Sequence, residues 1–428
     1  MPIIQDYVFQ TFSSLKNKNY RLYIIGQAIS TVGTFMQMIA QPWLVLQLTN
    51  SGTALGLVLA LQYLPILLLS PWGGLLVDRY PKRKILFFTQ IALGILSFAL
   101  GILVATNTVQ LWMVYALALG FGLVTMIDTP ARQAFIVEMV GKEELKNAIT
   151  FYNSLLNLAR VIGPAIAGIL ISTVGIMLCF IINGITYAAV VIVLLMMNPK
   201  ELLAAPPVKE AKGQIIKGFR YVYSSVVLMN TLIMLGIIGT LTYEFTVSLP
   251  LIAQFTFNGG AGAYAELTAA LGLGSIIGGL FTASLKKTSN QTMVGAAFLF
   301  GLSIIVASFM PSLGLMMLAM LLVGAFSMVY ATLATLTLQL ESAPEMQGRV
   351  LALWSIAFLG STTIGAPAIG WIGENIGPRW GLAVGGVAAL IAGAIGFLAF
   401  RKDTETFATP EEAIVTSEEY VEEDRRLP

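Results

Sequence analysis

Between Leu22 and Val77 the chain runs 56 residues without a charged side chain. Similar neutral windows fill most of the sequence, and short basic clusters separate them. An uncharged apolar run of about 20 residues is long enough to cross a bilayer as one helix. On that measure residues 22–77, 85–127 and 161–199 predict two spans each, the one entering at 161 having begun before Arg160. Residues 221–265 predict one long span interrupted by Glu244, and 267–285 another. Residues 288–340 predict two, while 350–373 and 380–400 predict one each, which makes twelve. Turn signals fall where the double windows need them, at Thr49-Asn50-Ser51-Gly52, Asn107-Thr108, Val174-Gly175 and Pro311-Ser312. The pattern predicts an all-α polytopic membrane protein.

Charge sets the orientation. The 24 Lys and Arg residues gather at Lys16, Lys18 and Arg21, at Arg79 and Lys82 to Lys84, and through Arg132, Lys142 and Lys146. They recur from Lys200 through Lys209, Lys212 and Lys217 to Arg220, at Lys286 and Lys287, at Arg349, and after Arg401. Those positions are every second loop and both ends. Of the other loops only the one at Arg379 is basic, so the positive-inside rule puts both termini in the cytoplasm. The first apolar run is a full span with no small-residue cleavage site, so it reads as a retained first helix rather than a signal peptide.

Composition narrows the chemistry. With 57% hydrophobic and 11% charged residues the chain is no soluble enzyme. Cys179 is the single cysteine and histidine is absent, which removes disulfides, Cys/His metal sites and histidine proton relays. Proton chemistry falls to carboxylates. The segment after Phe400 holds nine acidic against four basic residues and predicts a solvated, disordered cytoplasmic tail. It lowers the net charge from +7 over the first 400 residues to +2, so overall charge says nothing about partners.

The chain repeats itself. Gly73-Gly74-Leu75 recurs as Gly278-Gly279-Leu280 at an offset of 205, Gly120 matches Gly324 at 204, and Gly163-Pro164-Ala165-Ile166 matches Ala366-Pro367-Ala368-Ile369 at 203. A nearly constant offset across three landmarks predicts two parallel six-helix halves, a transporter design. The expected organisation is an N-terminal segment 1–21, a bundle 22–199, a linker 200–220, a second bundle 221–400 and a tail 401–428.

Between the second and third spans stands Gly74-x-x-x-Asp78-Arg79-Tyr80-Pro81-Lys82-Arg83-Lys84. Gly74 permits close helix approach, and Asp78 at a helix end needs a positive partner; a purely topogenic basic loop is the competing reading. This segment resembles the signature loop of the major facilitator superfamily, with Pro81 in place of a glycine. The second-half copy carries Ala283 at the Asp78 position. Further segments resemble the exporter branch that includes enterobactin and macrolide exporters, the transmembrane secretion effector family. They are Asn17-Lys18-Asn19-Tyr20-Arg21 with Gly26-Gln27 and Ser30, Asp128-Thr129-Pro130-Ala131-Arg132-Gln133-Ala134 continuing to Arg160 and Gly163-Pro164, and Gly348-Arg349-Val350. The resemblance implies two pseudo-symmetric six-helix bundles. It also implies that Asp78 faces the start of the eleventh helix and that the loop cations meet Asp128, latching the cytoplasmic gate in the outward-facing state.

Other residues suggest a functional face without the resemblance. Asn153, Asn157, Arg160 and Pro164 share one side of the fifth helix. Arg160 lies about 13 residues, roughly 20 Å, from the outer turn. At that depth it needs a partner or a watery cavity, which leaves two readings: an ion pair with Asp128, or a role in coupling or substrate binding. Gly163-Pro164-x-x-Ala167-Gly168 resembles the fifth-helix motif of antiporters, with Ala167 replacing a glycine; tight packing alone is the other reading. Glu244 is the only acid well inside an expected span. A low-dielectric setting penalises its charge, which suits reversible protonation in a proton-coupled antiporter. The competing position is near the outer end, in reach of water. On the first helix Gln27, Thr31, Thr34 and Gln41 form a polar stripe, with Ser30 and Gln37 beside it and Trp354 among the available aromatics; they read either as a cavity lining for bulky substrates or as interhelical hydrogen-bonding groups.

The leading expectation is a secondary transporter of the bacterial inner membrane, a monomer by family expectation. It exports an amphiphilic siderophore, macrolide or other drug-like molecule by alternating access with proton antiport. Its partners are then a small molecule, protons and membrane lipid, with no nucleic acid, cofactor or metal, and no ATP because no phosphate-binding loop is present. The alternatives are a solute-uptake symporter and a non-transporting membrane sensor.

Overall fold

The computed structural model describes residues 13–141, 143–203, 214–285, 288–401 and 406–407. Twelve helices are long and apolar enough to cross a membrane. They are α1 (Lys18–Thr49), α2 (Gly52–Arg79), α3 (Lys82–Ala105), α4 (Leu111–Val140), α5 (Leu145–Thr173) and α6 (Met177–Met196) in the first half. The second half holds α7 (Val226–Thr256), α8 (Gly260–Ser284), α9 (Asn290–Ser308), α10 (Leu313–Leu340), α11 (Gln347–Asn375) and α12 (Pro378–Phe400).

Local chemistry fixes the ends. Asn17, Ser51, Ser225, Ser289 and Ser312 cap α1, α2, α7, α9 and α10 by accepting from backbone N–H groups of the first turn. At the expected turns Asn50, Asn107 and Gly175 take left-handed conformations, with φ of 49°, 55° and 98°.

The structure moves two expected boundaries. A separate helix, Gln214–Ser224, precedes α7, so the seventh span starts at Val226 rather than Tyr221. The eighth starts at Gly260, because Glu266 lies exposed on its surface and does not end it. Lys142, Lys209, Lys212, Lys286 and Lys287 lie outside the described residues. So does the acidic tail, apart from Arg401 and the pair Thr406–Phe407, which bonds antiparallel to Thr288–Ser289.

The helices form two six-helix bundles with the same internal packing. In the first, α1 packs on α5 and α6, α2 on α4, and α3 on α4 and α6; adding six to each number gives the packing of the second. The repeated glycines sit at equivalent contacts. Gly73 of α2 rests on the Met126 backbone of α4, and Gly278 of α8 rests on the Ala325 backbone of α10. Where lipid is as apolar as the side chains, such close backbone approach, rather than the hydrophobic effect, holds helices together. Between the halves, α2 meets α11 and α5 meets α8.

Two helices are broken. In α7 the turn at Thr242–Glu244 separates Val226–Leu241 from Phe245–Leu251, and in α11 a wide-turn segment, Ile356–Gly360, precedes Thr362–Asn375. The breaks adjoin, since a side-chain carbon on Gly239 would lie 2.8 Å from both Phe358 O and Ser361 Oγ. Irregular backbone at membrane depth is tolerated where protein covers it.

Candidate functional site

The α11-facing edge of α2 has two contrasting ends. Near the start of α2 Gly52 abuts the Gly370 backbone and Gly56 abuts Ala366. Deeper, a side-chain carbon on Gly360 would lie 2.9 Å from Leu67. Toward its other end the same edge opens. A side-chain carbon on Gly74 would meet nothing within 4 Å, and Asp78 is exposed. The α5–α8 pair behaves alike: Gly168 packs on Ala265 and Gly272 on Arg160 O, whereas Asn153 and Ala283 nearer the opposite ends are exposed. The halves pack together at the end that holds Gly52 and Gly168 and stand apart at the end that holds Asp78 and Asn153.

Two cations of the signature loop make contacts within their own half. Arg79 is exposed. Lys82 Nζ pairs with Glu138 Oε1 at 3.5 Å, and Arg83 Nε donates to Leu194 O at 2.8 Å, satisfying a terminal carbonyl of α6. The expected partner of the loop cations was Asp128. It lies ten residues, about 15 Å, deeper along α4 than Glu138. Asp128 is 2% exposed and pairs with Arg132, while Thr89 Oγ1 and Gln90 Nε2 donate to it at 2.6 and 2.8 Å. Arg132 also donates to Gln27. The i,i+4 spacing of Asp128 and Arg132 is an ion-pair signal legible in sequence; nothing local announced Glu138.

This pair removes one reading of Arg160. Its guanidinium meets no acid among the described residues and instead lies 5.8 Å from the Phe35 ring centre. Asn157 is half-buried on the same helix face. Gly163 packs on Phe35 and Met36 of α1, Pro164 and Ala167 are buried, and Gly168 meets α8, so this motif joins α5 to both neighbours.

The stripe on α1 divides. Gln37 Oε1 accepts from Ser97 Oγ at 2.9 Å and Asn183 Nδ2 at 2.7 Å, making it a link between α1, α3 and α6 rather than a cavity wall. Its 100° position on the helix turns it inward beside Gly33, which abuts Thr186. Gln27 is committed to Arg132, and Gln41 is buried. Thr34 is exposed, with its hydroxyl 3.2 Å from Tyr187 Oη, and alone of the four keeps an open surface.

Glu244 occupies the break in α7. It is 3% exposed, twelve residues from the end of the helix, and does not reach the protein surface. Its Oε1 has no hydrogen-bond partner, and Thr362, Gly365 and Tyr63 surround the carboxyl group. Thr363 Oγ1 is likewise unsatisfied. Next to Glu244, Tyr243 donates to Ser327 O at 2.7 Å and meets Phe358 edge-on, while Trp354 stacks on Phe358 at 5.5 Å. Tyr63, Thr89, Gln90, Glu138 and Thr362 are among the members of these clusters that sequence reasoning did not single out.

A family model described as transmembrane secretion effector matches residues 9–424. The enterobactin exporter EntS of Escherichia coli O81 (strain ED1a) is 26% identical over 380 residues, covering 88% of this chain and 90% of that one. The staphyloferrin A transporter of Staphylococcus aureus (strain NCTC 8325 / PS 47) is 24% identical over 331 residues, covering 75% and 81%. Among solved structures, a POT family transporter in complex with a thioalcohol conjugated peptide has a TM-score of 0.73 at 13% identity, covering 92% of this chain and 100% of that one. A bacterial homologue of the human lysosomal transporter Spinster, inward-facing and unoccupied, has a TM-score of 0.67 at 15% identity, covering 92% and 97%. At these identities the structural likeness establishes the fold alone.

Proposed function

The chain belongs to the transmembrane secretion effector family, a branch of the major facilitator superfamily, and on that premise we propose that this secondary transporter exports an amphiphilic small molecule in exchange for protons. The relatives are transporters, not enzymes. Siderophores are the leading substrates because two curated relatives are a siderophore exporter and a siderophore transporter by name; macrolides and other drug-like compounds remain in the test panel. The protein works as a monomer in the inner membrane with both termini cytoplasmic, and draws no energy from ATP.

The observation that carries alternating access is the edge of α2 that is packed on α11 outside and open inside. Export begins from such a state, because the substrate enters from the cytoplasm. Closure of the inner half brings Gly74 and Asp78 toward α11, while Lys82 and Arg83 hold the loop against its own half. Glu244 is the proton carrier in this reading: a buried carboxyl with an unsatisfied oxygen, set where α7 and α11 both break, feels any rearrangement of the two helices.

The test is substrate-triggered proton release from acidified inverted vesicles, read with a pH-sensitive dye against enterobactin, staphyloferrin A, erythromycin and ethidium. Dequenching that requires this protein and vanishes in Glu244→Gln supports proton antiport. Accumulation of substrate in right-side-out cells instead would mean uptake, and binding without flux would mean a sensor.

A further inference from the structure

Three features of α5 place Arg160 at an approach from the cytoplasm. The exposed Leu158, Ile162, Ile166 and Ile169 mark the lipid side, Gly163 contacts α1, and Gly168 contacts α8. By the 100° step per residue, Asn153, Asn157 and Arg160 project between the last two contacts, toward the axis of the molecule. None of the three side chains has a hydrogen bond or ion pair with a described residue. An uncompensated cation at that depth is costly, and none of the buried acids pairs with it. Asp128 is held by Arg132 and Glu138 by Lys82, and Glu244, at the α7–α11 junction, makes no ion pair among the described residues.

Around Arg160 stands apolar, aromatic surface. Phe35 lies under the guanidinium, Tyr243 is within electrostatic reach, and Tyr243 continues through Phe358 to Trp354. A guanidinium offers a planar fork that matches a carboxylate or a pair of catechol oxygens, and a ring beneath it leaves the fork's edge open. We propose that Arg160 is an anion subsite: the transported molecule carries a carboxylate or a deprotonated catechol on an aromatic or apolar body, and Asn157 and Asn153 line its way in. The proposal rests on the transport reading and sharpens its substrate class from amphiphilic to anionic.

Two xanthene dyes with the same ring body and opposite charge test it: fluorescein and rhodamine 6G. Their binding to the full chain in lipid nanodiscs is read by fluorescence anisotropy, with empty nanodiscs subtracted. Wild type should prefer fluorescein. Arg160→Gln should weaken fluorescein about tenfold or more, the scale of a charge-assisted bidentate contact, and leave rhodamine 6G within about twofold. Arg160→Lys, a point charge without the fork, should fall between. Preference of folded wild type for rhodamine 6G, failure to bind fluorescein, an unchanged affinity in Arg160→Gln, or an equal loss of both dyes would each overturn the proposal. Because binding is read without flux, Arg160-dependent fluorescein binding in a protein that releases no protons would count against antiport and leave the subsite standing.

Discussion

Glu374 at the C-terminal end of α11 reaches across to the first turn of α2, where its Oε2 accepts from Thr53 N at 2.9 Å and Thr53 Oγ1 at 2.7 Å. Ser51 Oγ donates to the same oxygen at 2.7 Å. One carboxylate of the second half thus serves as an N-terminal cap for a helix of the first, complementing its positive dipole end.

Glu374→Ala should therefore favour outward opening. The group is exposed and solvent screens it, so the net effect is about 1 kcal/mol, or roughly fivefold in the open-to-closed ratio. Spin-label distances between the outer ends of α2 and α11 should lengthen. Unchanged distances would mean that the cap is incidental.

Steric contrast along α2 gives a second test. Gly56→Leu cannot fit against the Ala366 backbone and should abolish outer closure, raising the reactivity of cysteines placed nearby to impermeant reagents. Gly74→Leu meets open space in this conformation and should leave outer closure intact while blocking inner closure. Both should stop transport, with opposite accessibility patterns; the same pattern from both would refute the two-ended edge.

The Asp128–Arg132 pair should be strongly coupled. Asp128→Asn leaves a buried guanidinium without its counter-ion, a loss of about 3–5 kcal/mol, and should lower the Tm in detergent sharply. The double substitution with Arg132→Gln should recover much of that loss, as a double-mutant cycle would report. Additive losses would contradict the pairing.

For the loop, Glu138→Lys should impair transport by repelling Lys82, and exchanging the two charges with Lys82→Glu should restore it in part. Asp128→Lys combined with Lys82→Glu should show no rescue. Rescue at Asp128 and not at Glu138 would return the partnership to the residue expected from the sequence.

Much of the architecture was legible in the order of residues. Spans are visible because twenty apolar residues in a row have few alternatives to a bilayer-crossing helix, and the repeat offsets pointed to equivalent halves that pack alike. Asn50, Asn107 and Gly175 marked turns through their tolerance of positive φ. Boundaries failed where composition was ambiguous: Glu266 argued for a loop, yet on a helix surface it needs only an exposed position.

Pairing was not legible. The sequence determined which side chains carry charge, how many helices there are, and which face of each helix a residue occupies, because periodicity is local. Only the tertiary structure decided that Lys82 meets Glu138 and not Asp128, that Gln37 bonds to Ser97 and Asn183 instead of lining a cavity, and that Arg160 has no ion pair with an acid among the described residues. Which face meets which neighbour depends on the rotation and depth of whole helices, set by the sum of glycine contacts such as those at Gly56, Gly163 and Gly278. A shift of one turn there moves every polar partner by about 5.4 Å, more than a hydrogen bond can span.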